Sequence, residues 1–113
     1  MRELKFRAYH KMLKRYLEPN EFIESFCADA NIIVELPTGL KDKNGMEIYD
    51  GDILQGLEGD NATVFWRTAE AEWGVRWSDN KAEYSLAESA YWDGLGNIIG
   101  NIHENHELLE DEE

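Results

Sequence analysis

The architecture predicted for this chain rests on residues 36–53, Leu-Pro-Thr-Gly-Leu-Lys-Asp-Lys-Asn-Gly-Met-Glu-Ile-Tyr-Asp-Gly-Asp-Ile. The triplet Lys43-Asn44-Gly45 predicts a tight hairpin turn, because Asn-Gly accepts positive φ at both central positions of a type I′ turn. Residues 49–53 predict a second turn, closed by the carboxylate of Asp50, that leads into an apolar strand. Two turns this close together are typical of the entry to a small, tightly bent β-barrel.

Further strands are predicted on both sides of this stretch, because apolar residues there alternate with polar ones or are β-branched. The predicted strands cover residues 2–9, 32–36, 62–66, 73–77 and 95–102. Residues 12–17 fit either a short helix or the second strand of a hairpin. Residues 86–92 predict one or two helical turns, and a short helix or tail follows Asn105. The spacing of Phe22, Ile23, Phe26 and Cys27 indicates an amphipathic helix with Asn20 as its cap.

These patterns predict one mainly β domain over residues 1–113, with one or two short helices and an acidic tail at about residues 104–113. The architecture is either a small SH3-like barrel or a bent antiparallel sheet. No apolar run approaches the ~20 residues that a membrane span needs. The beginning of the chain is polar and basic, unlike a signal peptide, so we expect a cytoplasmic protein. Cys27 is a lone cysteine, which excludes an intrachain disulfide and favours a small buried hydrophobe.

Charge is distributed very unevenly along the chain. The formal net charge is −13, of which residues 1–50 carry −1 (8 Lys/Arg against 9 Asp/Glu) and residues 51–113 carry −12 (3 against 15). The first fifteen residues are instead basic, with a balance of +5. A strongly negative surface repels nucleic-acid phosphates and attracts basic partners. We therefore expect no direct nucleic-acid binding, and a basic host or phage protein as a possible partner.

Two groups of residues invite a metal-site hypothesis. Asp50 and Asp52 flank Gly51, with Asp42 and Glu47 near them in sequence, and clustered carboxylates suit Ca²⁺ or Mg²⁺. Their spacing lacks the regular pattern of a calcium loop, and aspartate favours turns in any case.

His103 and His106 are the second group, because side chains three residues apart on a helix share a face. Only His10 is left to complete such a site. For both groups we predict turn or surface residues, with no metal and no cofactor.

Catalytic patterns are weak in this sequence. Ser25, Ser78, Ser85 and Ser89 lie outside any Gly-x-Ser-x-Gly context, and neither a phosphate loop nor a dinucleotide fingerprint occurs. We assign no catalytic residues. Trp66, Trp73 and Trp77 could stack on nucleic-acid bases, but their strand spacing favours packing in the core.

Three blocks resemble the YopX family of phage and prophage proteins. They are residues 2–9 (Arg-Glu-Leu-Lys-Phe-Arg-Ala-Tyr), residues 38–45 running into 47–53, and residues 98–105 followed by 107–109. They follow the family's order and cover about a third of the chain. His106 departs from the pattern, since the family commonly has proline there. The resemblance implies a phage or prophage origin and a mainly β architecture, and it offers no catalytic residues to map.

The function that we expect is a non-enzymatic one, acting through protein–protein contacts and self-association. A basic segment at the beginning could meet the acidic second half of another copy, head to tail. One alternative is an acidic DNA mimic that inhibits a host nucleic-acid enzyme. Another is an uncharacterised enzyme or metal-binding protein.

Overall fold

A computed structural model describes residues 6–18, 30–56, 60–79, 81–92 and 96–109, with the backbone alone at 90–92. Within these ranges the chain forms ten strands, a short α-helix and a 3₁₀ helix. The strands are β1 (Arg7–His10), β2 (Arg15–Tyr16), β3 (Ile32–Glu35), β4 (Pro37–Lys41), β5 (Glu47–Tyr49), β6 (Asp52–Gln55), β7 (Asn61–Arg67), β8 (Glu72–Trp77), β9 (Glu83–Ser85) and β10 (Ile98–Asn101). Helix α1 is Leu86–Trp92, and the 3₁₀ helix is His106–Leu109. No helix in the described ranges is long and apolar enough to cross a membrane.

The strands pair into three antiparallel sheets, with the orders β2-β1-β3, β10-β6-β7-β8-β9 and β4-β5. The mainly β class with short helices is therefore confirmed. Of the two predicted architectures, the antiparallel sheet describes the fold. The described strands do not close into a barrel, since β10 and β9 remain the two edges of the largest sheet.

The hydrophobic core lies against one face of the five-stranded sheet. Alternation along β7 and β8 puts Val64 opposite Val75, and both side chains are almost completely buried. Trp73 and Trp77 pack at the margin of this core, as predicted. Trp66 differs from the prediction, because its side chain is 45% exposed and meets Trp73 edge-on with 5.1 Å between ring centroids. The core members are Ile48, Leu54, Ala62, Val64, Val75 and Leu86.

At the beginning of the described chain, the hairpin alternative is correct. Strands β1 and β2 pair through Tyr9 and Tyr16, so residues 12–17 do not form a helix. The strands predicted at 32–36, 62–66, 73–77 and 95–102 and the helix at 86–92 are also present. The predicted helix containing Phe22, Ile23, Phe26 and Cys27 lies outside the described residues.

The turn at residues 43–45 forms, but it is not type I′. Gly45 has φ +84°, whereas Asn44 is not among the described residues with positive φ. The N–H of Gly45 donates to the carbonyl of Asp42 at 3.0 Å, and the N–H of Asp42 donates to the carbonyl of Met46 at 2.8 Å. This is a three-residue hairpin loop closed by one left-handed glycine, the next most common hairpin solution.

The Asp42 side chain stabilises this loop and connects two sheets. Its carboxylate accepts the N–H groups of Asn44 at 2.9 Å, Met46 at 2.8 Å and Ile98 at 3.0 Å. Burial alone would raise the pKa of Asp42, but hydrogen bonds from the N–H groups of Ile98, Met46 and Asn44 bring it below its ordinary value. The ionised carboxylate therefore holds the β4–β5 hairpin against β10.

The second turn uses a different aspartate from the one predicted. The carboxylate of Asp52, and not that of Asp50, closes it by accepting the N–H of Tyr49 at 2.8 Å. Asp52 is buried, whereas Asp50 is only partly so. Gly51 between them has φ +88°, and a Cβ placed on it would come within 2.7 Å of Oε2 of Glu35.

The glycines of the two turns provide a matched test. Gly45 and Gly51 share nearly the same φ, but nothing lies within 4 Å of a Cβ built at position 45. We expect Gly45→Ala to cost about 1 kcal/mol of unfolding free energy, from backbone strain alone. Gly51→Ala should cost at least twice as much, because it also displaces the Glu35 carboxylate. Urea denaturation of both variants measures the difference, and equal losses would contradict this account.

Candidate functional site

Charged and aromatic side chains from two sheets and from the turn after β10 meet at the base of the β1–β2 hairpin. We call this group the Arg7 cluster, and its members are Arg7, Tyr16, Glu35, Asp52 and His103. Antiparallel register places Arg7 of β1 directly opposite Glu35 of β3. Asp52 begins β6, and His103 lies in the turn that follows β10.

Arg7 makes the central contacts of the cluster. Its Nε donates to Glu35 Oε1 at 2.8 Å, and its Nη2 donates to Asp52 Oδ1 at 2.7 Å. The guanidinium also lies over the rings of Tyr16 and Tyr49, at 4.9 and 4.8 Å from their centroids. One cation is thus shared by two carboxylates and held between two aromatic faces.

Glu35 collects donors from three separate elements. Besides Arg7, the hydroxyl of Tyr16 donates to Oε1 at 2.8 Å and His103 Nε2 donates to Oε2 at 2.9 Å. The His103 ring stacks on Tyr9, with centroids 4.1 Å apart and planes only 10° from parallel. Glu35 is almost completely buried, so each of these bonds replaces a contact with water.

The shifted pKa values reflect burial and the excess of carboxylates over the single guanidinium. Burial raises the pKa of Asp52, and the Tyr49 N–H and Arg7 offset this only in part. Burial and the nearby Glu35 raise the pKa of Asp50 in the same way. Burial would lower the pKa of Arg7, but Asp52 and Glu35 raise it above its ordinary value. Arg7 therefore stays charged at every pH that the folded chain encounters.

The carboxylates of the cluster are engaged in hydrogen bonds within the protein. Both oxygens of Glu35 and both oxygens of Asp52 already accept hydrogen bonds. Burial raises the pKa of the Tyr16 hydroxyl strongly, so it remains a proton donor to Glu35. A general base must have a lone pair available to the substrate. This arrangement instead suits a scaffold that fixes the β1–β2 hairpin against the rest of the protein.

The opposite end of that hairpin is exposed and combines two apolar side chains with three cations. We call residues 11–15, Lys-Met-Leu-Lys-Arg, the hairpin tip. Met12 is 73% exposed and Leu13 is 52% exposed. The tip has a fixed backbone, since the Lys14 N–H donates to the His10 carbonyl at 2.8 Å and the Lys11 N–H to the Asn31 carbonyl at 2.9 Å. Two apolar side chains flanked by cations are thus presented on a well-defined loop.

The sequence predicts turn or surface residues for the two groups considered as metal sites, and His103 differs from that prediction because it is partly buried. Asp52 belongs to the Arg7 cluster, and His103 bonds to Glu35 while His106 begins the 3₁₀ helix. No group of three or more His, Cys, Asp or Glu suited to a metal occurs among the described residues. Cys27 and Ser25 lie outside the described part of the chain.

The other serines mainly have structural contacts. Ser85 caps helix α1 by accepting the Glu88 N–H at 3.2 Å, and Ser89 donates to the carbonyl of Ser85 at 2.8 Å. Ser78 accepts the Asn61 N–H at 3.4 Å.

Comparison with known proteins places the chain in a family. The sequence model of the family described as YopX protein matches residues 11–110. The chain belongs to the YopX family. Its fold is similar to that in the crystal structure of protein EF1440 from Enterococcus faecalis, with 23% identity and a TM-score of 0.61. That similarity covers 97% of this chain and 100% of the other. The curated proteins contain no significant match.

Sequence reasoning missed the Arg7 cluster of this YopX-family chain. Arg7 and Glu35 lie 28 positions apart, and neither stands in a pattern that indicates chemistry. The available signal was weak: Arg7 lies in a predicted strand with apolar neighbours, and Glu35 follows Ile32-Ile33-Val34. A charged residue of opposite sign within each of these two predicted strands could have suggested that Arg7 and Glu35 form an ion pair.

Removal of the Arg7 guanidinium tests how strongly the fold depends on it. Arg7→Met leaves Glu35 and Asp52 buried without their cation, which should cost about 3–5 kcal/mol of unfolding free energy. Arg76→Met is the matched control, because the Arg76–Glu83 pair is exposed and should be worth about 1 kcal/mol or less.

The loss of unfolding free energy caused by Arg7→Met should also depend on pH. With a raised pKa, the folded state holds the Asp52 proton more tightly than the unfolded state does. The carboxyl's contribution to stability is therefore largest in acid and is lost as the pH rises through its folded pKa. Without Arg7 the pKa of Asp52 rises further, so protonation in acid stabilises the folded variant more than the wild type. The loss of unfolding free energy should therefore be smaller at about pH 5 than at about pH 8. Denaturant titrations at both pH values measure it, and a constant deficit would refute this origin.

Divalent cations test the interpretation of Asp50 and Asp52 as structural residues. We expect millimolar Ca²⁺ or Mg²⁺ to leave the melting temperature nearly unchanged, because a specific site would stabilise the folded state by mass action. Differential scanning fluorimetry with and without a chelator measures this. A rise of several degrees that disappears in Asp50→Asn would show that these carboxylates bind metal.

Proposed function

We propose that this YopX-family chain is a non-enzymatic, phage- or prophage-encoded cytoplasmic protein that acts through protein–protein contacts and self-associates. The hairpin tip is the observation that carries the proposal. Met12 is the most exposed large hydrophobic side chain in the described part of the protein, and Leu13 lies next to it. Exposed apolar groups with a polar rim are typical of interaction sites.

The charges around the tip favour an acidic partner. Lys11, Lys14 and Arg15 give residues 11–15 a charge of +3 with no acid among them, in a chain whose net charge is −13. Complementary charges accelerate association and align the partners, while the apolar side chains supply affinity. The acidic half of a second copy offers such a surface, which is why we include self-association.

The enzyme alternative receives less support from the described residues. The Arg7 cluster brings several ionisable side chains together, and each of its carboxylate oxygens already accepts a hydrogen bond from within the protein. Side chains held in fixed positions contribute to catalysis only if they face the group that reacts. The cluster instead fixes the hairpin whose tip we propose as the contact.

The DNA-mimic alternative also receives less support. Two acids of the five-stranded sheet and one in an adjoining turn pair with arginines of that sheet. Arg67 pairs with Glu72 at 2.7 Å and lies 3.6 Å from Glu70. Arg76 pairs with Glu83 at 2.6 Å. Acids that alternate with arginines are a poor imitation of the uniform charge of a phosphate backbone.

Static light scattering tests self-association. We expect the average mass of the wild-type protein to rise with concentration in the high micromolar range, and to fall again as salt screens the lysines. Met12→Ser/Leu13→Ser should remain a monomer under the same conditions. Met46→Ser is the matched control, because Met46 is 62% exposed on a different hairpin. A wild-type protein that is monomeric at low and moderate salt would overturn the self-association proposal.

A further inference from the structure

We infer that strand β3 is a docking edge, at which an extended segment of a partner protein adds as a further strand to the sheet β2-β1-β3. We call the side of residues 32–34 that faces away from β1 the open edge. The open edge is separate from the hairpin tip. The inference therefore goes beyond the proposed self-association and does not depend on it.

The hydrogen-bond register shows which backbone groups of β3 face outward. Directly beyond the paired strands, the Lys11 N–H donates to the Asn31 carbonyl at 2.9 Å. Hydrogen-bonded pairs alternate with non-bonded pairs in an antiparallel ladder, so Ile33 directs its N–H and C=O to β1. Ile32 and Val34 therefore direct theirs away from β1. In the described part of the chain these outward groups have no hydrogen-bond partner.

The edge of the five-stranded sheet at β10 is protected, in contrast. The N–H of Ile98 donates to Asp42 Oδ2 at 3.0 Å, and the N–H of Asn101 donates to Asn105 Oδ1 at 3.1 Å. Natural proteins commonly block exposed edges, because unpaired N–H and C=O groups are a template for another strand. This chain occupies two donors of β10 with its own side chains and leaves those of the open edge available.

The side chains of the open edge favour pairing with another strand. Residues 32–34 are Ile-Ile-Val, without the lysine or proline that blocks many natural edge strands. The one charged residue of β3, Glu35, is bonded to Arg7 inside the protein. Val34 is 38% exposed, and Leu36 just beyond β3 is 55% exposed. An added strand would therefore also remove apolar surface from water.

The length of the open edge favours a single extended segment over a second copy of this chain. Beyond residue 34, the carbonyl of Leu36 already accepts the Asp50 N–H at 3.0 Å, which limits the edge at that end. Two folded copies that met along this edge alone would bury far less than the ~1,200 Å² of a stable interface. A partner segment with apolar residues at alternate positions matches both the backbone groups and the exposed side chains.

Amide hydrogen exchange of the free protein, followed by NMR, tests whether the edge is open. We expect the N–H groups of Ile32 and Val34 to exchange at least about tenfold faster than those of Ile33 and Glu35, which bond to β1. Equal protection of all four would show that the edge is already covered and would overturn the inference. Protection that increases with protein concentration would assign the edge to a second copy, and would overturn it as well.

A synthetic peptide, Thr-Val-Thr-Val-Thr-Val-Lys, tests strand addition directly. We expect weak binding that slows exchange at Ile32 and Val34 about tenfold at saturation, because the peptide then bonds to both residues. The same peptide with every backbone nitrogen methylated is the control, since it cannot donate hydrogen bonds. Equal effects of the two peptides, or no effect of either, would overturn the inference.

Proline substitutions on β3 provide the matched protein variants. Val34→Pro and Ile32→Pro each remove an outward N–H and spare the bonds to β1, as proline does on natural edge strands. We expect either variant, verified as folded by its circular dichroism melt, to lose peptide binding. Val34→Thr keeps the N–H and the β-branched shape, so it should bind like the wild type. Unchanged binding by a folded proline variant would contradict strand addition.

The hairpin-tip variant separates this inference from the proposed function. Met12→Ser/Leu13→Ser should bind the peptide like the wild type, because its open edge is intact. Loss of self-association in that variant together with peptide binding supports both statements. A wild-type protein that stays monomeric but binds the peptide would overturn self-association alone, and one that self-associates without binding the peptide would overturn the docking edge alone.

Discussion

The guanidinium of Arg7 lies between the buried carboxylates of Glu35 and Asp52, and the arrangement of the three sheets depends on that contact. Glu35 and Arg7 come from the sheet β2-β1-β3, Asp52 begins a strand of the five-stranded sheet, and the neighbouring Tyr49 ends β5 of the two-stranded sheet. Buried charges must be paired and hydrogen-bonded, or the fold loses several kcal/mol. Each sheet therefore has one position relative to the others in which all of these groups are satisfied.

The same contact explains why Gly51 occupies its position. The chain must turn in front of Asp52 while leaving space for the Glu35 carboxylate, and only a residue without Cβ permits both. The N–H and carbonyl of Gly51 also bond to Val64 and Ile102, at 2.9 Å each. A single turn thereby connects β7, the end of β10 and the Arg7 cluster.

We propose that the function of this molecule is carried by its surface. A fold similarity at 23% identity describes architecture and carries no chemistry to this chain. The buried carboxylates of the Arg7 cluster are hydrogen-bonded within the protein, whereas the hairpin tip presents two apolar side chains and three cations to solvent. The rigid base of the hairpin matters to the tip, because a loop with a fixed conformation loses less entropy on binding than a mobile one.

The sequence by itself determined the class of fold, most strand positions, the two turns and the family, because alternation, β-branched runs and Asn-Gly or Asp-Gly pairs are local signals. Tertiary structure decided what those signals leave open. The predicted type I′ turn is instead a three-residue loop stabilised by the carboxylate of Asp42. The turn at Gly51 is closed by the carboxylate of Asp52 and not by that of Asp50. Tertiary structure also left Trp66 at the margin of the core and brought Arg7 to Glu35 and Asp52. Each of these outcomes depends on contacts between residues far apart in the chain, which no local pattern encodes.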